Sequence, residues 1–158
     1  MKRGYLKTYI KILFLLAIIA SVIYGGIYFL KKGYANEQFE TIKTNMLLIE
    51  AKTKIVAEKM KMKEKDTSYV GRKIEERDME DIKALQEKGM IDTEEKENIY
   101  YILEKSHLEE LGLTTIKLEE GYYIVEYNTN EIIYSKGVED KNGNKLYKLT
   151  EIEKVSEK

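Results

Sequence analysis

Nineteen uncharged, mostly apolar residues, Ile12 to Leu30, run unbroken between Lys11 and the pair Lys31 and Lys32. At about 1.5 Å per helical residue such a run reaches about 28 Å, close to the roughly 30 Å hydrocarbon thickness of a bilayer. It is therefore expected to be a single transmembrane helix. Nothing later in the chain is comparably apolar, so the residues after Lys32 are expected to form a water-soluble domain on one anchor. A cleavable signal peptide has a shorter apolar core, about 7 to 15 residues, followed directly by small residues. Here the core ends in two lysines, and the nearest small-residue site is Gly33-Tyr34-Ala35. The segment therefore reads as a retained anchor.

Lys2, Arg3, Lys7 and Lys11 precede the span, against Lys31, Lys32 and the more distant Lys43 after it. This bias predicts an N-terminus in the cytoplasm and a C-terminal domain outside it, in the cell membrane. Tyr5, Tyr9, Tyr28 and Tyr34 stand near the two ends of the span, where amphipathic rings favour the headgroup level. The expected organisation is a cytoplasmic N-terminus over 1–11, a transmembrane helix over 12–30, an extended amphipathic helix over 31–66 and an extracytoplasmic domain over 67–158.

Beyond Gly33 the residues Phe39, Ile42, Met46, Ile49, Thr53, Val56 and Met60 follow an alternating spacing of three and four, one apolar stripe along a helix. Leu47, Leu48 and Ile55 are read as widening that stripe. The chain has no proline, and Gly33 costs a helix only about 1 kcal/mol against alanine, so a nearly continuous helix is expected from about residue 10 to about residue 63. The charged and hydroxyl-rich run from Lys63 to Ser68 marks its end. A second helix is expected from Glu75 to Lys88 with Gly89 as its cap, and Ile99 to Leu103 reads as a strand. Ser106 with Glu109 suggests a capping box for a short helix closed by Gly112. Tyr122–Tyr127 and Glu131–Ser135 flank Asn128-Thr129-Asn130 as a hairpin, and Asn142-Gly143-Asn144 turns the chain into Lys145–Leu149. The fold class expected is α+β: a transmembrane helix continuing into a long amphipathic helix, packed on a small antiparallel sheet.

That layout resembles type IV pilins and type II secretion pseudopilins. The segments Ile99–Leu103, His107–Leu113 and Tyr123–Tyr134 are similar to the globular ends of pilin-like proteins from low-GC Gram-positive bacteria. The family's Gly-Phe-Thr-Leu-Ile-Glu type processing site is not present, since Gly4 is followed by Tyr5-Leu6-Lys7-Thr8-Tyr9. The resemblance thus implies the architecture, the outside location and a role in assembly, without implying cleavage or ordinary filament packing.

The function classes that remain are few. Without cysteine there are no disulfides, thiolate metal sites or thiol nucleophiles. His107 is the single histidine, with no second imidazole to complete a zinc set. Neither Ser106 nor Ser135 lies in a nucleophile-elbow sequence, and Gly71 and Gly121 form no phosphate-binding loop. The pairs Glu75 with Glu76 and Glu119 with Glu120 read as solvated charge runs. No enzymatic chemistry, cofactor or metal is expected, and with a net charge of -1 nucleic acid is not an expected partner. Two features remain as candidates. Ala17, Ser21 and Gly25 recur every four residues, a face on which a second membrane helix can approach closely. Lys52, Lys54, Lys59, Lys61 and Lys63 form a candidate anion-contact patch opposed only by Glu58 and Glu64 within that stretch. Thirteen tyrosines supply strand-stabilising pairs or a binding surface. The expected role is a pilin-like structural or assembly component in the bilayer, associating with other membrane or filament-forming proteins or with itself. The alternative is a monomeric tethered domain that binds wall polymer, peptide or a membrane complex.

Overall fold

The computed structural model describes residues 2–63, 67–93, 98–118 and 121–156, and before Ala35 the side-chain surroundings of positions 17, 20, 21, 24 and 33 only. The elements are α1 (Lys2–Lys61), β1 (Arg72–Lys73), a 3-10 turn (Glu76–Asp78), α2 (Met79–Glu87), β2 (Tyr100–Leu103), α3 (Lys105–Glu110), β3 (Tyr123–Glu126), β4 (Glu131–Glu139), β5 (Lys145–Lys148) and α4 (Leu149–Ser156). Two compact units divide the chain, residues 1–37 and residues 38–158. Among the described residues no helix is long and apolar enough to cross a membrane. The run Ile12–Leu30, which carries the expectation of a span, has most of its side chains outside the described residues.

Within the second unit the fold is α+β. Its five strands pair in sequence order, β1-β2-β3-β4-β5, each antiparallel to its neighbour. Tyr123 lies opposite Tyr134, and Val125 opposite Ile132, so the β3–β4 hairpin has the register that a short connection through Asn128-Thr129-Asn130 implies. Asn130 takes a φ of 60°, a left-handed conformation that asparagine tolerates better than most residues. The pairing of β4 with β5 shifts between Ile133 and Val138, where the longer strand accommodates extra residues.

Alternation along the strands sorts the side chains into two layers. Leu103, Tyr123, Val125, Ile132 and Tyr134 belong to a core with Phe39, Ile42, Met46 and Ile49 of α1, joined by Leu108 and Leu111 near α3 and by Leu149 and Ile152 of α4. Ile102, Ile124 and Ile133 belong to a second core with Ile82 and Leu85 of α2. Because both faces are covered, all four residues of central β3 are buried, and its sequence Tyr-Ile-Val-Glu lacks the polar alternation of a strand with one wet face.

The expected stripe on α1 is largely what the sheet covers: Phe39, Ile42, Met46, Ile49 and Thr53 are buried, with Ala57 added below them. Leu48 and Ile55 do not widen it. They are 42% and 51% exposed, because at about 100° per residue they fall on the opposite side of the helix from Phe39 and Ala57. Polar contacts fix the docking of helix and hairpin. Thr53 Oγ1 donates to the Ile49 carbonyl at 2.9 Å and lies 3.2 Å from Asn130 Oδ1, while Asn130 Nδ2 donates to the Glu50 carbonyl at 3.2 Å. Asn45 Nδ2 donates to the Tyr123 hydroxyl at 3.2 Å.

Local signals explain the short helices. Gly89 and Gly112 follow α2 and α3 with φ of 68° and 75°, and the next residues return amide bonds to Leu85 and Leu108 at 2.9 and 2.7 Å, the glycine-terminated helix end. The cap of α3 differs from the Ser106–Glu109 expectation. Glu104 is the N-cap, and its N–H donates to His107 Nδ1 at 3.1 Å, so the helix starts two residues earlier. β1, the 3-10 turn and α4 were not expected from the sequence.

Candidate functional site

The first candidate, Ala17, Ser21 and Gly25, lies on α1 in the first unit. Ala17 and Ser21 are exposed, and Ser21 Oγ donates back to the Ala17 carbonyl at 2.8 Å. This is the usual way a helix satisfies a serine hydroxyl, and it leaves the small profile intact. The surroundings of Gly25 lie outside the described residues.

The lysines of the second candidate are all exposed. They do not share one face. With about 100° per residue, Lys52 and Lys59 fall on one row, Lys54 and Lys61 on another about 160° away, and Lys63 stands beyond the last residue of α1. A single anion would meet two of these side chains, not five.

Between the lysine rows runs a different feature. Leu48 and Ile55, 42% and 51% exposed, lie seven residues apart on the side of α1 turned away from the sheet, and Met62, 73% exposed, follows at the same interval just past the helix's last residue, Lys61. Exposed Thr41 stands one interval before them, and Thr44 and Ala51 lie beside them, all small enough for a neighbouring helix to come close. Lys52 and Lys59 edge the row on one side; Glu40 and Glu58 edge it on the other. Scattered single apolar residues on a surface need no explanation, but this row has one apolar residue per heptad, half of the a/d pattern of a helix–helix seam, with Thr44, Ala51 and Glu58 at the other half. Sequence periodicity merged this row with the buried stripe. What separates them is the angle around the helix, about 160–180° from Phe39 for Leu48 and Ile55.

Among the described residues, Arg72, Asp78, Glu126 and Asp140 are engaged in contacts that hold turns and strands together. The Arg72 guanidinium holds Asp78 through two bonds of 2.6 and 2.9 Å and Glu104 through a third of 2.8 Å. Asp78 also accepts the Glu75 N–H at 2.8 Å, which ties the 3-10 turn to β1. The bond from Arg72 holds the Asp78 carboxyl below the usual carboxylate range, against the opposing effect of burial. Glu126, 3% exposed, accepts the N–H groups of Ile99 and Asn128 at 3.0 Å each, that of Thr129 at 2.6 Å, and the Thr129 hydroxyl. Burial pushes this carboxyl up, yet the bonds from Thr129, Ile99 and Asn128 together bring it below its ordinary value. It organises the hairpin turn and has no acceptor capacity turned to a substrate. Asp140 does the same for the β4–β5 turn, accepting the N–H groups of Asn142 and Asn144 at 2.8 Å each.

Several of the described tyrosines are structural. Tyr69 and Tyr101 pack against Tyr127 with ring centroids 4.5 and 5.6 Å away, and the Tyr127 hydroxyl donates to the Val70 carbonyl at 2.7 Å. Burial raises the Tyr127 phenol and takes that of Tyr123 to about 12. His107 serves the cap of α3. Among the described residues no three His, Cys, Asp or Glu side chains are placed to hold a metal ion. The pair Glu119 and Glu120 lies outside the described residues.

Comparison with protein-family models, with curated proteins and with solved structures returns no match. The chain's own surface is therefore the source of any functional reading, and its most distinctive part is the outer row of α1.

Proposed function

We propose that this chain is a single-pass membrane protein with its C-terminal unit outside the cytoplasm, a pilin- or pseudopilin-like structural component that works by protein–protein association. The apolar run Ile12–Leu30 and the excess of Lys and Arg before it support the anchor and the orientation. The long helix α1 and the small antiparallel sheet of the second unit support the layout. The observation that carries the role is the division of α1 into two faces. One face is consumed by the chain's own core, and the other keeps Leu48 and Ile55 in solvent, with Met62 at the same interval just beyond the helix.

A helix face of that kind serves association rather than catalysis. The small residues Ala17, Ser21 and Gly25 offer a second contact within the bilayer.

Formaldehyde cross-linking of cells making the full-length chain, followed by denaturing electrophoresis, tests this role. Species larger than the monomer that contain the chain support a component acting by association. Recovery of monomer alone, at several cross-linker concentrations, would favour the monomeric tethered domain instead.

A further inference from the structure

The β4–β5 hairpin turns through Asp140-Lys141-Asn142-Gly143-Asn144, and every residue from Lys141 to Lys145 is exposed. Of the chain's seven asparagines only Asn142 precedes a glycine; after the others stand Glu, Met, Ile, Thr or Lys, whose side chains shield the amide nitrogen that follows the asparagine. The turn itself calls for the glycine. Gly143 has a φ of 82°, and no atom lies within 4 Å of where a Cβ would stand. Its nitrogen is therefore open on the side from which Cγ of Asn142 approaches. What holds that nitrogen in place is the bond from the Gly143 N–H to the Asp140 carbonyl at 3.0 Å. Exposed backbone bonds at a loop tip open locally at small cost.

We infer that Asn142 is a self-modification site, converted to aspartate and isoaspartate through a cyclic imide with Gly143. The Gly143 nitrogen attacks Asn142 Cγ and forms a new C–N bond. The bond from Cγ to the side-chain nitrogen breaks, and that nitrogen leaves as ammonia with the proton given up by Gly143. Water then opens the five-membered ring at either carbonyl. Opening at Cγ gives aspartate; opening at the backbone carbonyl gives isoaspartate, whose chain runs on through the side-chain carbons.

Either product places a second carboxylate beside Asp140, which holds the turn by accepting the N–H groups of Asn142 and Asn144 at 2.8 Å each and Asn144 Nδ2 at 3.0 Å. The isoaspartyl product also lengthens the backbone of the turn by one carbon, so the bonds to Asp140 are not all kept. Val138 opposite Leu146 lies below the turn and stays paired. The modification therefore loosens the tip of the hairpin and spares the sheet.

The test incubates the full-length chain in detergent micelles at mildly alkaline pH, with and without denaturing urea, and follows the tryptic peptide Asn142–Lys145 by chromatography and mass spectrometry. Two new peptides of equal mass appear, each heavier than the parent by the exchange of an amide NH2 for OH, while Asn128 and Asn144 stay intact over the same period. The folded chain converts no more than about tenfold more slowly than the urea-unfolded one, the factor that about 1.4 kcal/mol of local opening imposes. Asn142→Gln, which would have to close a larger ring, gives neither product. In the converted chain amide exchange speeds up at Asn144 and is unchanged at Leu146. An Asn142 that stays intact in the folded chain while the unfolded chain converts would overturn the inference, as would conversion of Asn144 at the same rate or a converted turn with unchanged exchange at Asn144. None of these outcomes bears on the association reading, which the cross-linking experiment tests separately.

Discussion

Ile49 and Ile55 sit six residues apart on α1, chemically identical and about 120° apart around it, one in the core and one exposed, so truncating each to alanine separates the roles of those faces. Ile49 is fully buried, at 0% exposure, in the core shared by α1 and the sheet. Its replacement removes three methyl or methylene carbons and leaves a cavity, which in packed cores costs about 2–5 kcal/mol. Ile55 is 51% exposed, so less apolar surface is lost, and alanine's better helix propensity returns a few tenths of a kcal/mol, for a net effect of about ±0.5 kcal/mol. Measured by urea unfolding of the full-length chain in detergent micelles, with an m-value of about 1.5 kcal/mol per molar, Ile49→Ala should lower the midpoint by about 2 M and Ile55→Ala by less than about 0.4 M. Equal shifts for the two variants would refute the assignment of Ile55 to a face free of the chain's own core.

Glu126→Gln should cost about 2–4 kcal/mol in the same assay, because an amide cannot accept from Ile99, Asn128 and Thr129 together and leaves buried donors unmet; a change under about 0.5 kcal/mol would contradict this. Arg72→Met should destabilise by about 3 kcal/mol by leaving the Asp78 carboxylate buried without its partner, and Arg72→Met/Asp78→Asn should recover part of that loss, which a double-mutant cycle measures. Both Asp78 and Glu126 titrate lower in the folded chain than in the unfolded one. Their stabilisation is thus complete above the unfolded carboxylate range near pH 4 and is lost as pH falls through the lower folded values, so a urea midpoint that rises on acidification below about pH 4 would reverse the sign argued here. Tyr127→Phe, which removes the bond to the Val70 carbonyl, should cost about 1 kcal/mol and leave β3 pairing intact by backbone amide exchange.

How far these features are legible in the sequence depends on the range of the interaction that creates them. The end of α1 near Lys61, the hairpin at Asn128-Thr129-Asn130 and the glycine ends at Gly89 and Gly112 follow from local backbone chemistry, and the structure places them where the residues suggest. The buried stripe Phe39-Ile42-Met46-Ile49-Thr53 follows from helical period. What the sequence obscured is set by tertiary contact. Leu48 and Ile55 are apolar and close in number to the buried residues, and only the angle between them and Phe39 assigns them to the outer face. The covering of the second sheet face by α2 could not be read from strand composition alone, since Ile102, Ile124 and Ile133 look the same against a helix as against solvent. β1 spans two residues and exists through its pairing with Ile102 and Tyr101, and Arg72 within it gains its role from Asp78 and Glu104, six and thirty-two positions away. His107 shows the reverse: a residue with catalytic potential by type is occupied by the Glu104 N–H three residues earlier.

The account rests on a chain held by its N-terminal segment with residues 38–158 outside the cytoplasm, and the most direct test is protease shaving of intact cells combined with intact mass of the unshaved chain. The account predicts a mass that includes residues 1–35 and loss of the C-terminal unit to external protease, leaving a membrane-protected N-terminal fragment. A mass lacking those residues, or a C-terminal unit protected until the cells are lysed, would contradict it.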